Sequence, residues 1–150
     1  MILRDYQTLA IERIERAFTE HRSALLVCAT GLGKTVIFAS LIGRHPLRSI
    51  VLTHREELLE QSAARVREIA NATVDVEMGE RWADNIGFGD WGRAKCILSS
   101  IQTQISRWGA NGKRRMNRFD PADFGLIVAD EAHHCAAKSW RAVLEHYGQN

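Results

Sequence analysis

A chain of 150 residues, 45% hydrophobic and 25% charged, has the size and balance of one globular domain, which argues against a disordered or fibrous protein. The net charge of +2 identifies no partner, and three cysteines without ligand spacing argue against a disulfide framework and a zinc site. No apolar run is long enough to span a bilayer and no secretory signal opens the chain, so we expect a reduced, cytoplasmic protein.

The first half of the chain alternates between helical and extended patterns. Apolar residues at helical spacing predict an amphipathic helix over 5–20, with Asp5 as its N-cap. The apolar run 24–28 predicts a strand buried on both faces of a parallel sheet. A glycine-containing turn follows, and a helix over 35–44 is predicted to end before Pro46. The next predicted elements are a strand at 49–53, a helix at 56–70 and a strand at 73–78.

The second half continues this alternation after an irregular, glycine-rich stretch. The predicted elements are a strand at 95–99, a helix at 101–108, a polar loop at 109–123, a strand at 125–129 and a helix at 138–147. Strands that alternate with helices predict an α/β fold, a mainly parallel sheet with helices on both faces. We find no repeat, low-complexity tract or linker, so residues 1–150 are predicted to form a single domain.

The segment ATGLGKT at 29–35 lies between a predicted buried strand and a predicted helix, which is where a phosphate-binding turn belongs. Gly31 and Gly33 would let the backbone turn tightly and point successive N–H groups inward. Lys34 would reach the β- and γ-phosphates, and the Thr35 hydroxyl would ligate magnesium. A cysteine replaces the first glycine of the full motif. The alternative is a glycine-rich connection with an incidental lysine.

Two carboxylates follow the apolar strand in LIVADEAH at 126–133. Asp130 would hold the magnesium ion, and Glu131 would orient and deprotonate the attacking water. The alternative is that both are solvated turn residues. His133 is a further catalytic candidate beside Lys34 and Glu131, although a histidine in a loop can simply face solvent, as we predict for His134.

ATGLGKT and DEAH together resemble motifs I and II of superfamily 2 helicases, and the resemblance extends over nearly the whole chain. It implies the N-terminal RecA-like domain of a DEAD/DEAH-type enzyme that uses ATP and Mg²⁺. HREELLEQ at 54–61 and the histidine after DEAH are closer to the restriction-enzyme and DNA-repair translocase branch. The implied ATP-binding residues are Gln7, whose amide would read the adenine edge, and the cradle residues Thr30, Gly31, Leu32, Gly33, Lys34 and Thr35.

Two further segments, 51–61 and 99–104, resemble those with which this family grips a nucleic-acid strand. Phosphate contacts carry no sequence information, so the resemblance implies binding through the backbone without sequence specificity, DNA being the expected partner. The alternative is an exposed charge at a helix start and ordinary caps. The implied nucleic-acid-binding residues are Thr53, His54, Arg55, Gln102 and Thr103.

A basic run with an aromatic precedes the acidic strand, and three aromatics lie in or near the glycine-rich stretch. The basic run could track a nucleic-acid strand or could be solvated, and the aromatics could stack on bases or pack under a long loop. The residues concerned are Lys113, Arg114, Arg115 and Arg118 with Trp108, and then Trp82, Phe88 and Trp91.

The family also has an S-A-T triad after the acidic box and a second RecA-like domain that supplies arginine fingers. Neither is found before Asn150. Because an arginine finger is worth about 10³ to 10⁵ in rate, we expect this chain alone to bind ATP weakly and to hydrolyse it slowly. A nucleic-acid-binding module without motor activity is the alternative. A P-loop kinase or transport ATPase does not explain the segments at 51–61 and 130–133.

Overall fold

The computed structural model describes residues 2–29, 31–54, 56–83 and 92–148. Its helices are α1 (Asp5–Ala17), α2 (Lys34–Arg44), α3 (Leu59–Ala70), α4 (Ile101–Ile105) and α5 (Lys138–Tyr147). Its strands are β1 (Arg48–Thr53), β2 (Val74–Glu77), β3 (Cys96–Ser100), β4 (Arg107–Trp108), β5 (Lys113–Arg114) and β6 (Phe124–Ala129). No helix in these ranges is long and apolar enough to cross a membrane.

The central sheet is parallel throughout and has the strand order β2-β3-β1-β6. Val51 on β1 stands in register with Leu98 on β3 and with Val128 on β6. β6 forms one edge of the sheet, since β1 is its one strand partner in the described part of the chain. The predicted α/β fold with a mainly parallel sheet is therefore confirmed.

Side chains that alternate along each strand build a separate apolar core on each face of the sheet. Val51 and Leu98 pack in one cluster with residues of α1, α2 and α3. Leu52 and Ile97 face the other way, into a cluster that contains Trp140 of α5. Helices on both faces are thus confirmed.

Two buried groups with shifted pKa values belong to these cores. Burial raises the pKa of Cys96 to about 12, so this free cysteine stays a neutral thiol. Burial also raises the pKa of Tyr147, whose hydroxyl donates a 2.7 Å hydrogen bond to Gln104 Oε1. This bond joins the end of α5 to α4 inside the protein.

The predicted strand at 24–28 is wrong. These residues form no strand, and Leu25 and Val27 are 75% and 86% exposed. An apolar run is covered on both faces of a parallel sheet only where neighbouring strands pair with it. Within the described residues β6 pairs with β1 alone, so the run has no strand neighbour.

Several helix boundaries also differ from the prediction: α1 ends at Ala17 rather than at residue 20, and α3 begins at Leu59 rather than at residue 56. Arg4, not Asp5, is the N-cap of α1, because the Gln7 side chain accepts a hydrogen bond from the Arg4 backbone N–H at 3.0 Å. α4 ends at Ile105 rather than at Trp108, because Arg107 and Trp108 pair antiparallel with Arg114 and Lys113. The predicted polar loop at 109–123 therefore contains one strand of a short hairpin. The helix predicted at 138–147 is confirmed.

Candidate functional site

Gly31 and Gly33 shape the loop before α2. Their φ angles are +85° and +79°, in the left-handed region that glycine adopts without a steric penalty. A Cβ at Gly33 would lie 2.7 Å from Gln7 Nε2, so a side chain here would have to displace the Gln7 amide from the Leu32 carbonyl. Lys34 begins α2 and forms no ion pair with any described carboxylate. Its ammonium is therefore available to an anion, whereas the predicted contact of Thr30 lies outside the described residues.

Gln7 packs against this loop from α1. It is 6% exposed, and its Nε2 donates to the Leu32 carbonyl at 3.4 Å. The Tyr6 hydroxyl donates to the same carbonyl at 3.1 Å, a contact that sequence reasoning missed. The first helix therefore supports the loop directly, and the contact of Gln7 with adenine remains a prediction.

The two acids follow β6 at the carboxyl end of the sheet, the edge where α/β proteins bind ligands. The Asp130 backbone N–H donates to the Leu52 carbonyl of β1 at 2.9 Å, and Asp130 Oδ1 accepts from the Glu131 N–H at 3.1 Å. Asp130 Oδ2 and the Thr35 hydroxyl have no partner among the described residues. Carboxylate and hydroxyl oxygens are ligands that suit Mg²⁺, so these two residues fit the ion. No described hydrogen bond or ion pair joins them in this structure.

Glu131 has a strained backbone. Its φ and ψ are +59° and +52°, a left-handed conformation that costs an L-residue with a Cβ about 1 to 2 kcal/mol. Such strain is concentrated at functional sites. The carboxylate Oε2 lies 3.8 Å from His134 Nε2, and the rings of His133 and His134 have centroids 4.1 Å apart. The 3-10 turn Ala132–His134 thus brings the predicted base and both histidines together.

A row of side chains connects this turn to the predicted strand-binding residues. The His134 ring stacks on the His54 ring with centroids 4.8 Å apart, and His54 Nδ1 lies 3.1 Å from Gln102 Nε2. Residues after β1, β3 and β6 meet here because the three parallel strands end at one edge. Sequence reasoning assigned His134 to solvent, since nothing near it in the chain indicates His54.

The predicted strand-binding residues differ in exposure. His54 and Gln102 are exposed, whereas Thr53 and Thr103 are 9% and 4% exposed. The Thr103 hydroxyl donates to Glu56 Oε1 at 3.0 Å, and its backbone N–H donates to Ser100 Oγ at 3.0 Å. Thr103 therefore participates in the cap of α4 in this structure. Arg55 lies outside the described residues.

The basic run divides into two pairs. Arg115 is 4% exposed, and both Arg115 and Arg118 bind the fully buried carboxylate of Glu77. Arg115 is therefore buried in an ion pair rather than solvated, Arg118 is partly buried against the same carboxylate, and Lys113 and Arg114 are exposed. The Arg115 guanidinium carbon also lies 3.6 Å from the ring centroid of Trp82, which packs against it. Phe88 and Trp91 lie outside the described residues.

A family profile described as the type III restriction enzyme, res subunit, matches residues 1–150. A putative ATP-dependent helicase IRC3 of Saccharomyces cerevisiae is 35% identical over 97% of this chain and 21% of its own length. A putative mitochondrial ATP-dependent helicase irc3 of Schizosaccharomyces pombe is 30% identical over 97% of this chain and 23% of its own length. The chain therefore spans about a fifth to a quarter of these curated relatives.

Two more distant similarities are to a curated helicase and to a solved structure. The DNA 3'-5' helicase XPB of Mycobacterium tuberculosis is 27% identical over 95% of this chain and 24% of its own length. A solved structure of a nuclease-deletion mutant of the type ISP restriction-modification enzyme LlaGI, in complex with a DNA substrate mimic, superposes with a TM-score of 0.68. The two sequences are 20% identical, and the superposition covers 99% of this chain and 16% of the LlaGI chain. At that identity it supports the fold alone.

Proposed function

The chain belongs to the type III restriction enzyme res-subunit family, within the superfamily 2 helicases, and we propose that it is the ATP-binding domain of a motor that couples ATP hydrolysis to movement along DNA. One observation carries the proposal. Glu131, the predicted catalytic base, is joined through the stacked rings of His134 and His54 to Gln102, a predicted strand contact. Catalysis and strand binding would thus share one edge of the sheet.

Each residue has a distinct part in the proposed hydrolysis. Lys34 binds the β- and γ-phosphate oxygens, and the N–H groups of the loop at 31–33 face the phosphates. Thr35 and Asp130 would hold Mg²⁺, which neutralises charge on the phosphate oxygens.

Glu131 orients a water molecule and accepts its proton. The water oxygen attacks the γ-phosphorus as the bond from that phosphorus to the bridging oxygen breaks. Gln7 would contact adenine, and His133, in the turn that follows Glu131, is a further catalytic candidate.

We propose DNA as the partner because one relative is named a DNA helicase and the structural neighbour was solved with a DNA mimic. His54 and Gln102 would contact the sugar-phosphate backbone, and Thr53, Arg55 and Thr103 are the other contacts predicted from the sequence. Binding of that kind is independent of sequence. A second RecA-like domain would close over the nucleotide and supply an arginine finger, so the present chain alone would turn over slowly. We expect the cytoplasm as its location, although one relative is named mitochondrial.

The proposal is tested by DNA-stimulated ATPase and ATP-binding measurements on the full-length protein. Lys34→Ala is expected to weaken ATP binding and abolish turnover, because the phosphates lose their cation. Glu131→Gln is expected to keep ATP binding and to lower turnover by about 10²-fold or more, because general-base catalysis contributes about 10² to 10⁴. This split between binding and turnover distinguishes the two roles.

Matched controls are available on α5. Lys138→Ala replaces another lysine at the first position of a helix, and Glu145→Gln replaces an exposed glutamate. Both controls should retain activity. ATPase that survives both Lys34→Ala and Glu131→Gln would rule out the motor. DNA binding without any ATPase in the unmodified protein would favour the alternative, a binding module that keeps the fold.

A further inference from the structure

A cleft of about 400 Å³ lies beside the predicted strand-binding segment. Gln102 and Thr103 of α4 line one side, and Arg107 and Trp108 of β4 line another. Trp82, which follows β2, completes the apolar part of the wall. The volume lies in the range of small-molecule sites, about 300 to 1,000 Å³, so a planar ring system has room to enter.

Two tryptophans are held open to solvent at this cleft. Trp82 is 44% exposed and Trp108 is 40% exposed, and their ring centroids lie 5.6 Å apart in an edge-to-face arrangement at 64°. The stacked guanidinium of Arg115 fixes Trp82 from the protein side. The Arg118 guanidinium carbon lies 5.9 Å from the Trp108 ring centroid and helps to orient this ring, which remains partly open to solvent. Pre-ordered, partly exposed aromatic faces are suited to stacking on another flat ring.

Positive charge surrounds Trp108 on the β4–β5 hairpin. Arg107 pairs with Arg114 and Trp108 with Lys113, and the side chains of all four are exposed. None of the three cations forms an ion pair with a described carboxylate, and the Arg107 guanidinium donates to the Gly112 carbonyl at 3.0 Å. The carboxylate that lines the cleft, Glu56, already accepts from Ser100 and Thr103. The charge therefore favours an anionic ligand.

We propose that this cleft binds one base of a single-stranded nucleic acid, stacked on Trp108, while Arg107, Lys113 and Arg114 contact the neighbouring phosphates. The inference rests on the proposed nucleic-acid function and adds a base contact to it. Aromatic stacking beside a basic track is the usual means of holding a single strand without reading its sequence, because every base has a π face. Gln102 lines the same cleft, so the base site would continue the predicted backbone contacts.

The test compares two fluorescently labelled single strands of equal length in anisotropy titrations with the full-length protein. One strand is oligodeoxythymidine and the other has the same backbone with abasic sites throughout. The unmodified protein should bind the strand with bases more tightly. Trp108→Ala should lower that affinity ratio by about 5- to 150-fold, the effect of losing one stacked base. Trp108→Phe, which keeps an aromatic face, should restore part of the ratio.

Two further variants separate stacking from charge and from folding. Lys113→Ala should weaken the binding of both strands equally, because it removes a phosphate contact. It should also reduce the slope of log K against log salt concentration by about one. Phe18 follows α1 and is 41% exposed, so Phe18→Ala serves as the aromatic control. It should leave the affinity ratio of the two strands unchanged. The base site is overturned if Trp108→Ala leaves the affinity ratio of the two strands unchanged, which includes an equal loss of affinity for both. Failure of the unmodified protein to bind either strand overturns the proposed nucleic-acid function as well.

Discussion

Replacing Glu77 with alanine is expected to destabilise the protein by about 3 to 5 kcal/mol, the cost of removing one partner from a buried ion pair. Glu77 is fully buried at the end of β2, and its carboxylate accepts from Arg115 Nε, from Arg118 at 2.7 and 2.9 Å, and from the Ala83 backbone N–H. The side chain of Arg115 is 5% exposed, so without Glu77 a guanidinium stays buried without its counter-ion.

The magnitude can be checked by urea unfolding, which gives the free energy of unfolding, and by thermal unfolding, both monitored by far-UV circular dichroism. For a chain of this size about 1 kcal/mol lowers the melting temperature by roughly 2 to 4 °C, so Glu77→Ala should lower it by roughly 6 to 20 °C. Glu77→Gln should cost less, because the amide retains the side-chain shape and one acceptor oxygen. Glu80→Ala, an exposed neighbour, should stay within about 0.5 kcal/mol of the unmodified protein.

A double-mutant cycle with Arg115→Met identifies the cause. If the cost comes from an uncompensated charge, adding Arg115→Met to Glu77→Ala should recover part of the lost stability. A cost below about 1 kcal/mol for Glu77→Ala, or purely additive effects in the cycle, would refute the assignment of this network as a structural support.

Three further predictions follow from local geometry, two for substitutions and one for a chemical modification. Gly33→Ala should weaken ATP binding of the full-length protein roughly tenfold in calorimetry, because alanine opposes the left-handed φ and meets Gln7; an unchanged Kd would contradict this. Gly43→Ala should destabilise rather than stabilise in urea, because its Cβ would lie 2.9 Å from the Ala70 carbonyl oxygen; a gain of about 1 kcal/mol would show that helix propensity wins. Cys96, with its pKa raised to about 12, should resist iodoacetamide at pH 8 until the protein unfolds, as mass spectrometry would show.

Elements defined by a local pattern were predictable from the sequence. The helix α5 matches the prediction at both ends, and β6 begins one residue before the predicted strand. In each case the apolar spacing within a short window determines which face is buried. The fold class followed from the order of these elements, because alternating strands and helices lead to a parallel sheet.

The run at 24–28 shows where such reasoning ends. Its composition is that of a buried strand, yet pairing depends on a neighbour that no local pattern specifies. The hairpin β4–β5 was missed for the same reason. Trp108 continues the apolar spacing of the preceding helix, but its pairing with Lys113 takes it out of that helix.

The sequence predicts the candidate site as motifs, but it does not predict the contacts among their residues. The glycines of the loop indicated positive φ angles because the chemistry of a tight turn requires them. Arg115 gave no sign of burial, since its partner Glu77 lies 38 residues earlier in the chain. The stacking of His134 on His54 likewise depends on two strands ending side by side.

The left-handed backbone of Glu131 sets stability and activity against each other at one position. Glycine would adopt φ near +59° without the Cβ clash, so relief of about 1 to 2 kcal/mol would favour Glu131→Gly in any selection for stability alone. The same change removes the proposed base. Stabilising redesign of this domain should therefore leave Glu131 unchanged. A variant with glycine at this position would be expected to be more stable and to bind ATP without hydrolysing it.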